Sequence, residues 1–482
     1  HEFTYGDLLG HSARVAAVIS GGVNVEGQRI AFLTPNSFEF VATQWAIWRA
    51  GGVAVPLCIS HPPAEWEYVL RDAEVTGVVC HPQYFHLLMP VAEHLRLPIY
   101  TVHDATPNST VLPASQPTLP LDGRALIVYT SGTTGRPKGV VATHGGLMAQ
   151  VESMIGPWGW TRDDVLLHAL PLHHVHGLIN ALLVPLFVGA QVEFMPKFDP
   201  AQVWSRWADT TQRPISIFMA VPTMYARLIS AYNEHQDQNL LTSAARALRL
   251  MVSGSSALPS SVFRRWELIS GHRLLERYGM TEIGMALSNP LDPNERREGL
   301  VGAPLPGVSA RIVLDGVDVT GTDTPGDLQI KGDTVFREYW NRQEATAEAF
   351  DEDGWFHTGD VASSSADNRF AILGRSSVDI IKTAGFKVSA LDIEREFLEH
   401  EGVDEVAVLG LADDEYGEKV AALVVPRDGT DPESLTVAAL REWGAHRLAK
   451  YKLPAVVKVV EALPRNAMGK LNKVSLRATF FP

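Results

Sequence analysis

Short apolar, β-branched runs alternate along most of the chain with longer stretches whose apolar residues recur at helical spacing. The run "RIAFLT" precedes "SFEFVATQWAIWRAGG", whose paired glycines Gly51 and Gly52 predict a helix stop. "VAVPL", "PAEWEYVLRDA" and "GVVC" continue the pattern, and "DVLLHAL", "ISIFMAV" and "LRLMVSG" repeat it downstream. Strand, helix, strand at this rhythm predicts parallel sheets covered by helices. The Pro/Ser-rich stretch "TPNSTVLPASQPTLP" reads as a surface connection. After about Ala310 the runs shorten to "ARIVLD", "DLQIKGD" and "RFAILG", which predicts a β-rich subdomain. Beyond Arg375 lie "VDEVAVLGL", "KVAALVVP" and "VAALREWGAHRLA", in a tail long enough to form an independent domain. The expected fold class is α/β, α+β overall, with a large domain over 1–375 and a small α+β domain over 376–482.

At 482 residues the chain is too long for one core, consistent with two units. Its formal net charge of -14 argues against general nucleic-acid or anionic-membrane binding, while leaving room for a local basic pocket. The two cysteines, Cys58 and Cys80, give neither a disulfide framework nor a metal-ligand cluster, which suits a reducing compartment. "GLINALLVPLFVGA" is too short to span a bilayer and carries Pro185. The chain opens at His1 rather than methionine, compatible with removal of an upstream targeting segment. The expected setting is intracellular, cytoplasmic or mitochondrial matrix. Oligomeric state is left open.

One stretch cannot be core. "VYTSGTTGRPKGVVATH", from Val128 to His144, is rich in Gly, Ser, Thr and cations directly after the apolar "ALIV". Strand, Gly-rich loop and helix, in that order, would make a polyphosphate cradle of backbone N–H groups, hydroxyls and a lysine. It is not GxxxxGK[ST], because Gly139 follows Lys138 and no Ser/Thr is placed for a P-loop magnesium. Nor is it the GxSxG elbow of an α/β-hydrolase.

The full string [ST]-S-G-[ST]-T-G-x-P-K-G is the signature of the adenylate-forming superfamily of acyl-CoA synthetases, firefly-type luciferases and peptide-synthetase adenylation domains. Thr130 to Gly139 resembles it at every position. "YGMTE" (Tyr278–Glu282), "TGD" (Thr358–Asp360), "GRSSVDIIKTAGFKVS" (Gly374–Ser389) and "PRNAMGKLNK" (Pro464–Lys473) resemble the superfamily's later motifs in the same order. The resemblance implies ATP phosphates on Thr130, Ser131, Gly132, Thr133, Thr134, Gly135 and Lys138. It implies adenine and ribose contacts from Ser255, Tyr278, Gly279, Asp360 and Arg375, with "TGD" as a ribose-binding turn. Thr281 and Glu282 would serve the reaction, Glu282 as the Mg2+ ligand, and Lys470 would steady the transition state of acyl-adenylate formation. A mobile C-terminal domain would turn about a hinge near Ser377, bringing Gly385, Lys387 and the "KTAGFKVS" loop to the CoA side. Ser377 stands where relatives often carry Asp or Lys, and Ala384 where many carry glycine.

The acid substrate is read from Arg277, in a place where many relatives carry a small residue. A guanidinium on an apolar strand end needs an anion. Glu276 is adjacent, but neighbours on a strand point to opposite faces. The alternatives are a ligand carboxylate and a structural ion pair elsewhere. In the first case one carboxylate is held by the guanidinium fork and a second is activated, which selects a dicarboxylic acid. "QWAIWRAGGVAVPL", "FMAVPTMY", "RLMVSGSSALP" and "LLERYGMTEIGMALSNPL" resemble malonyl-CoA synthetases. That implies malonate, ATP and CoA giving malonyl-CoA, AMP and pyrophosphate, with methylmalonate as a further substrate. His176, in "PLHHVHG", is expected beside the acyl group with Ser253 and Met280. The three histidines of that segment lack a second cluster at zinc-ligand spacing. The rival readings are a fatty or aryl acyl-CoA synthetase and an adenylation enzyme that loads a carrier protein.

Overall fold

The computed structural model describes residues 1–21, 25–102, 118–130, 136–383, 386–465 and 471–482. The expected parallel sheets are present as two seven-stranded sheets. In the first, Arg124–Thr130, Val53–Pro56, Arg29–Leu33, Gly77–Cys80 and Ile99–Thr101 lie side by side and parallel. In the second, Leu275–Met280, Leu250–Ser253, Ile217–Ala220, Val165–His168 and Gln191–Phe194 do the same. Val53–Pro56 and Leu250–Ser253 are buried at every position, which is why they read as unbroken apolar runs. Helix Phe38–Arg49 ends at Ala50, and Gly51 follows at φ +83°, a left-handed conformation that glycine adopts without strain. Among the described residues no helix is long and apolar enough to cross a membrane. The apolar segment with Pro185 forms a π-helical stretch, His176–Leu183, that runs into helix Val184–Val188.

Both sheets end in antiparallel additions, and one corrects a sequence expectation. Lys138–Thr143 pairs antiparallel with Arg124–Thr130, so the hydroxyl-rich loop joins two strands rather than a strand and a helix. Val140 and Val141 extend the sheet as buried, β-branched residues, and helix His144–Ile155 begins only where Thr143 caps the Gly146 N–H at 3.0 Å. Thr130 and Lys138, which flank the hydroxyl-rich stretch, are thus both strand residues, and the next helix along the chain starts at His144.

The β-rich subdomain is a five-stranded antiparallel sheet containing Val308–Leu314, Gly326–Gly332, Phe356–Ser364 and Phe370–Arg375. Thr358–Asp360, expected as a turn, lies inside the strand Phe356–Ser364. Gly359 at φ +73° and a register irregularity after Val361 bend that strand locally, which is what the Thr-Gly-Asp pattern signals.

Beyond Arg375 the chain turns through 376–379 into a fourth sheet of Phe386–Ser389, Ile380–Thr383, Gly417–Pro426 and Val403–Asp413, with Val456–Val459 beside Gly417–Pro426. Its two apolar clusters, one around Phe397 and Val408 and one around Leu409 and Leu476, contain only residues after 380. The largest cluster instead runs from Leu8 to Phe370. Most of the "KTAGFKVS" segment, expected as a loop, belongs to the paired strands Ile380–Thr383 and Phe386–Ser389, in which Lys382 stands opposite Lys387. Ile380, Ile381 and Val388 on its arms favour the pleated surface.

Candidate active site

The strand Leu275–Met280 is buried through Arg277 and opens into half-buried positions from Tyr278 onward. Arg277 is 5% exposed, and its Nε and Nη2 have no hydrogen-bond partner among the described residues. Its guanidinium rests on Gly254, where a Cβ would lie 2.5 Å from Cζ, so a side chain at that position would displace it. Glu276 faces elsewhere and accepts the Gly299 N–H at 3.3 Å, with burial pushing its carboxyl up to about 8. The two neighbours do not pair, as strand alternation requires. Burial pulls the Arg277 guanidinium down to about 9. Because the group keeps its proton at neutral pH, the shift records a cost of burying the cation, one that a carboxylate would offset.

The wall around this cation is assembled from distant segments. Gly254 is the part of the "SGSS" strand end that meets the guanidinium, whereas Ser253 is the register partner of Glu276 on the other face of the sheet, its buried Oγ without a partner among the described residues. Two residues on, Ser255 adopts φ +70° and shares a 3.1 Å hydrogen bond with Nδ1 of His176. The "SGSS" strand end and the "PLHHVHG" segment are thus tied together next to Arg277. His168 supports them from below, its Nε2 2.9 Å from the Gly177 carbonyl oxygen, and full burial drops its pKa to about 4. Among the described residues no group of three His, Cys, Asp or Glu is placed to hold a metal ion.

A second group forms around the end of the same strand. The Tyr278 hydroxyl donates to Asp360 Oδ2 at 2.5 Å, and Arg375 Nε lies 2.9 Å from Asp360 Oδ1. Arg375 also donates to the Thr358 carbonyl at 3.1 Å. A carboxylate held in place at both oxygens in this way is a candidate acceptor for the vicinal hydroxyls of a ribose. Gly279 passes so close to the facing strand that a Cβ would lie 2.2 Å from the Gly284 carbonyl oxygen. Half-buried Met280 and Thr281 follow, Met280 with its Sδ 3.9 Å from the Tyr278 hydroxyl.

Glu282 is buried, and desolvation raises its carboxyl above the usual range. The Tyr339 hydroxyl donates to its Oε1 at 3.0 Å, and Lys138 Nζ sits 4.9 Å from the Tyr339 ring centroid. Thr130 and Lys138 are cross-strand partners at the mouth of the hydroxyl-rich loop. Tyr339 therefore links that loop to the acidic residue of "YGMTE". Sequence reasoning missed it; the available signal was the aromatic pair in "REYWN", whose strand Glu338–Tyr339 pairs with Val140 and Val141. Tyr68 was missed as well: its hydroxyl donates to the Pro137 carbonyl at 2.7 Å, and Arg136 lies over its ring. A single buried carboxylate suits a hard cation that takes its other ligands from phosphate and water, the usual setting of Mg2+.

Ser377 lies in the turn after Arg375 and lines a cavity of about 50 Å³ with Lys473 and Arg477. Asp379 closes the turn by accepting the Arg375 N–H at 3.0 Å. Lys473 Nζ lies 2.6 Å from Asp379 and 2.7 Å from Glu394, so the last lysine of "PRNAMGKLNK" belongs to a buried structural ion cluster. Ser131, Gly132, Thr133, Thr134, Gly135, Gly385 and Lys470 lie outside the described residues, as does the side chain of Lys387.

The model of the AMP-binding enzyme family matches residues 1–340, and that of the AMP-binding enzyme C-terminal domain matches residues 392–470. The chain is 45% identical over 515 residues to the mitochondrial malonate–CoA ligase ACSF3 of Xenopus laevis, covering 99% of this chain and 88% of that one. It is 42% identical over 519 residues to the malonate–CoA ligase of Arabidopsis thaliana, covering 98% and 84%. Among solved structures, ATP-bound MatB from Rhodopseudomonas palustris superposes with a TM-score of 0.89 at 36% identity, over 99% of this chain and 93% of that one. A malonyl-CoA ligase in ternary complex with methylmalonyl-CoA and AMP gives 0.68 at 35% identity over 94% of each chain.

Proposed function

Because the chain belongs to the AMP-binding enzyme family, we propose that it ligates malonate to CoA through an acyl-adenylate, with methylmalonate as a further substrate. The observation that carries the choice of acid is Arg277, a buried guanidinium with two nitrogens that no described residue engages. A dicarboxylic acid places one carboxylate on that fork and leaves the other free to react. The names of the relatives in Xenopus laevis and Arabidopsis thaliana support the same acid, and the ligands of the solved neighbours support ATP and CoA as co-substrates.

In this reading ATP lies with its phosphates on Thr130, the Ser131–Gly135 loop and Lys138, its adenine beside Ser255, Tyr278 and Gly279, and its ribose hydroxyls on Asp360. Tyr278 and Arg375 already fix the Asp360 carboxylate, so its orientation is set before the nucleotide arrives. Glu282 would hold Mg2+, which supplies charge neutralisation at the phosphates. Arg277 and the His176–Ser255 wall orient the acid so that a carboxylate oxygen attacks the α-phosphorus and pyrophosphate leaves. Lys470 balances the charge that builds at the α-phosphate. The CoA thiol then attacks the acyl carbon and AMP departs.

The two steps need different groups at one site, and a domain over 376–482 turning about Ser377 supplies them in sequence. That its apolar clusters draw on no residue before 380 supports its moving as a unit, with Gly385 and Lys387 on the CoA side. The mitochondrial names of vertebrate relatives support an intracellular setting.

A panel of acids assayed for pyrophosphate release, with and without CoA, tests the proposal. Malonate and methylmalonate should outperform acetate, octanoate and benzoate, and CoA should accept the acyl group. A preference for octanoate or benzoate would make Arg277 structural, and transfer only to a pantetheinyl protein would replace the acceptor.

A further inference from the structure

Helix Pro63–Asp72 covers one face of the first sheet. Tyr68 and Asp72, one turn apart on it, lie on the same side. The Tyr129 hydroxyl donates to Asp72 Oδ2 at 2.8 Å, and Arg342 donates from Nη2 to Asp72 Oδ1 at 2.5 Å. The Tyr68 hydroxyl holds the Pro137 carbonyl, and the Tyr68 and Tyr129 rings meet edge to face, 6.2 Å between centroids. One helix thus grips the chain at the residue before Thr130 and again at the residue before Lys138. The Asp72 side chain is 10% exposed, and both of its oxygens are engaged. Burial, reinforced by the Asp72 carboxylate, holds the Tyr129 phenol far above its ordinary pKa, so Tyr129 remains a donor.

The grip is applied from behind the strands. Tyr129 and Val141 pack with the cluster that contains Trp66 and Leu70 of this helix, whereas Val128 and Val140 pack in the largest cluster. Strand alternation therefore turns Thr130 and Lys138 away from the helix. Lys138 accordingly lies against the ring of Tyr339, the register partner of Val140 and the donor to Glu282. Arg342 joins the two faces: its N–H donates to the Tyr339 carbonyl at 3.1 Å, while its guanidinium is held by Asp72. Tyr129 also packs across Gly139, where a Cβ would lie 3.2 Å from its Cζ.

We propose that Asp72 is a positioning residue for adenylation: through Tyr129 and Arg342, and with Tyr68 beside it at Pro137, it fixes Thr130, Lys138 and the Tyr339–Glu282 pair relative to one another. This rests on the reading that places the ATP phosphates on Thr130 and Lys138. A polyphosphate engages several of these groups at once, so their separation governs binding more than any single contact does. Asp72, on the opposite face of the sheet, acts only through its partners.

The test measures binding without turnover, by calorimetry on the whole protein with an α,β-methylene ATP analogue and with AMP. Asp72→Ala should weaken the ATP analogue by about tenfold or more and AMP by less than about twofold, since AMP lacks the β- and γ-phosphates. Asp72→Asn should fall between, because its carbonyl still accepts from Tyr129 but leaves Arg342 without an anion. Pyrophosphate release should slow in step with the lost affinity, whereas thioester formation from supplied malonyl-AMP should change by less than about twofold. If Asp72→Ala fails to fold, Tyr129→Phe and Tyr68→Phe each remove one hydroxyl and should each shift the ATP-to-AMP ratio by about threefold. Lys138→Ala separates the proposal from the reading beneath it. Loss of the ATP analogue in Lys138→Ala, with wild-type binding in the Asp72, Tyr129 and Tyr68 variants, would overturn the proposal alone. Wild-type binding of the analogue in Lys138→Ala would overturn the phosphate reading and the proposal with it. Equal weakening of the analogue and AMP, or equal loss of both half-reactions, would make Asp72 a structural anchor and overturn its positioning role.

Discussion

Arg277→Met is expected to lower kcat/KM for malonate by about a hundredfold or more, the loss of about 3–5 kcal/mol that follows when one member of a buried charge pair is removed. The same substitution should leave the thermal midpoint unchanged or raise it. In the free protein the guanidinium is buried with two nitrogens unengaged by any described residue, and methionine fills similar length without a charge to desolvate. Loss of activity with gain of stability is the signature of a group kept for its ligand. A short monocarboxylate should lose far less, since it never used the fork. Wild-type malonate kinetics in a destabilised variant would instead identify Arg277 as a structural cation. Melting curves and steady-state kinetics on one preparation decide between them.

Lys470→Ala is expected to slow formation of malonyl-AMP by about two to three orders of magnitude, the scale seen when one transition-state charge contact is deleted. Thioester formation from supplied malonyl-AMP and CoA should be largely retained, because in the proposed second step the thiol attacks the acyl carbon rather than the α-phosphorus, after the 376–482 domain has turned. Lys473 is the useful contrast. It neutralises Asp379 and Glu394 in a buried cluster, so Lys473→Ala should destabilise the fold around 376–482 and impair both half-reactions together. Equal loss of both half-reactions in Lys470→Ala would remove the role assigned to that residue.

What the sequence made legible follows from where local pattern and environment agree. Val53–Pro56 and Leu250–Ser253 are buried on both faces and could be read as strands directly. The separation of Glu276 from Arg277 was also readable, because strand alternation is a local rule. The strand after Pro137 was not, since "KGVVAT" is short and its pairing partner is set by tertiary context. Thr358–Asp360 misled for the opposite reason: a turn-forming triplet sits inside a strand, bent by Gly359. Tyr68 carries no local signature, and Tyr339 only the aromatic pair of "REYWN". Each acquires its role only when the fold brings it to a residue far along the chain, as Tyr339 to Glu282 or Tyr68 to Pro137.

The claim on which the rest depends is that a carboxylate oxygen of the acid attacks the α-phosphorus of ATP. Heavy-oxygen-labelled malonate, turned over with ATP and CoA, tests it most directly by mass spectrometry of the products. The proposed route leaves one labelled oxygen in AMP and none in pyrophosphate, because cleavage of the mixed anhydride by the thiol breaks the acyl C–O bond. Unlabelled AMP, or label carried by inorganic phosphate alongside ADP, would contradict it.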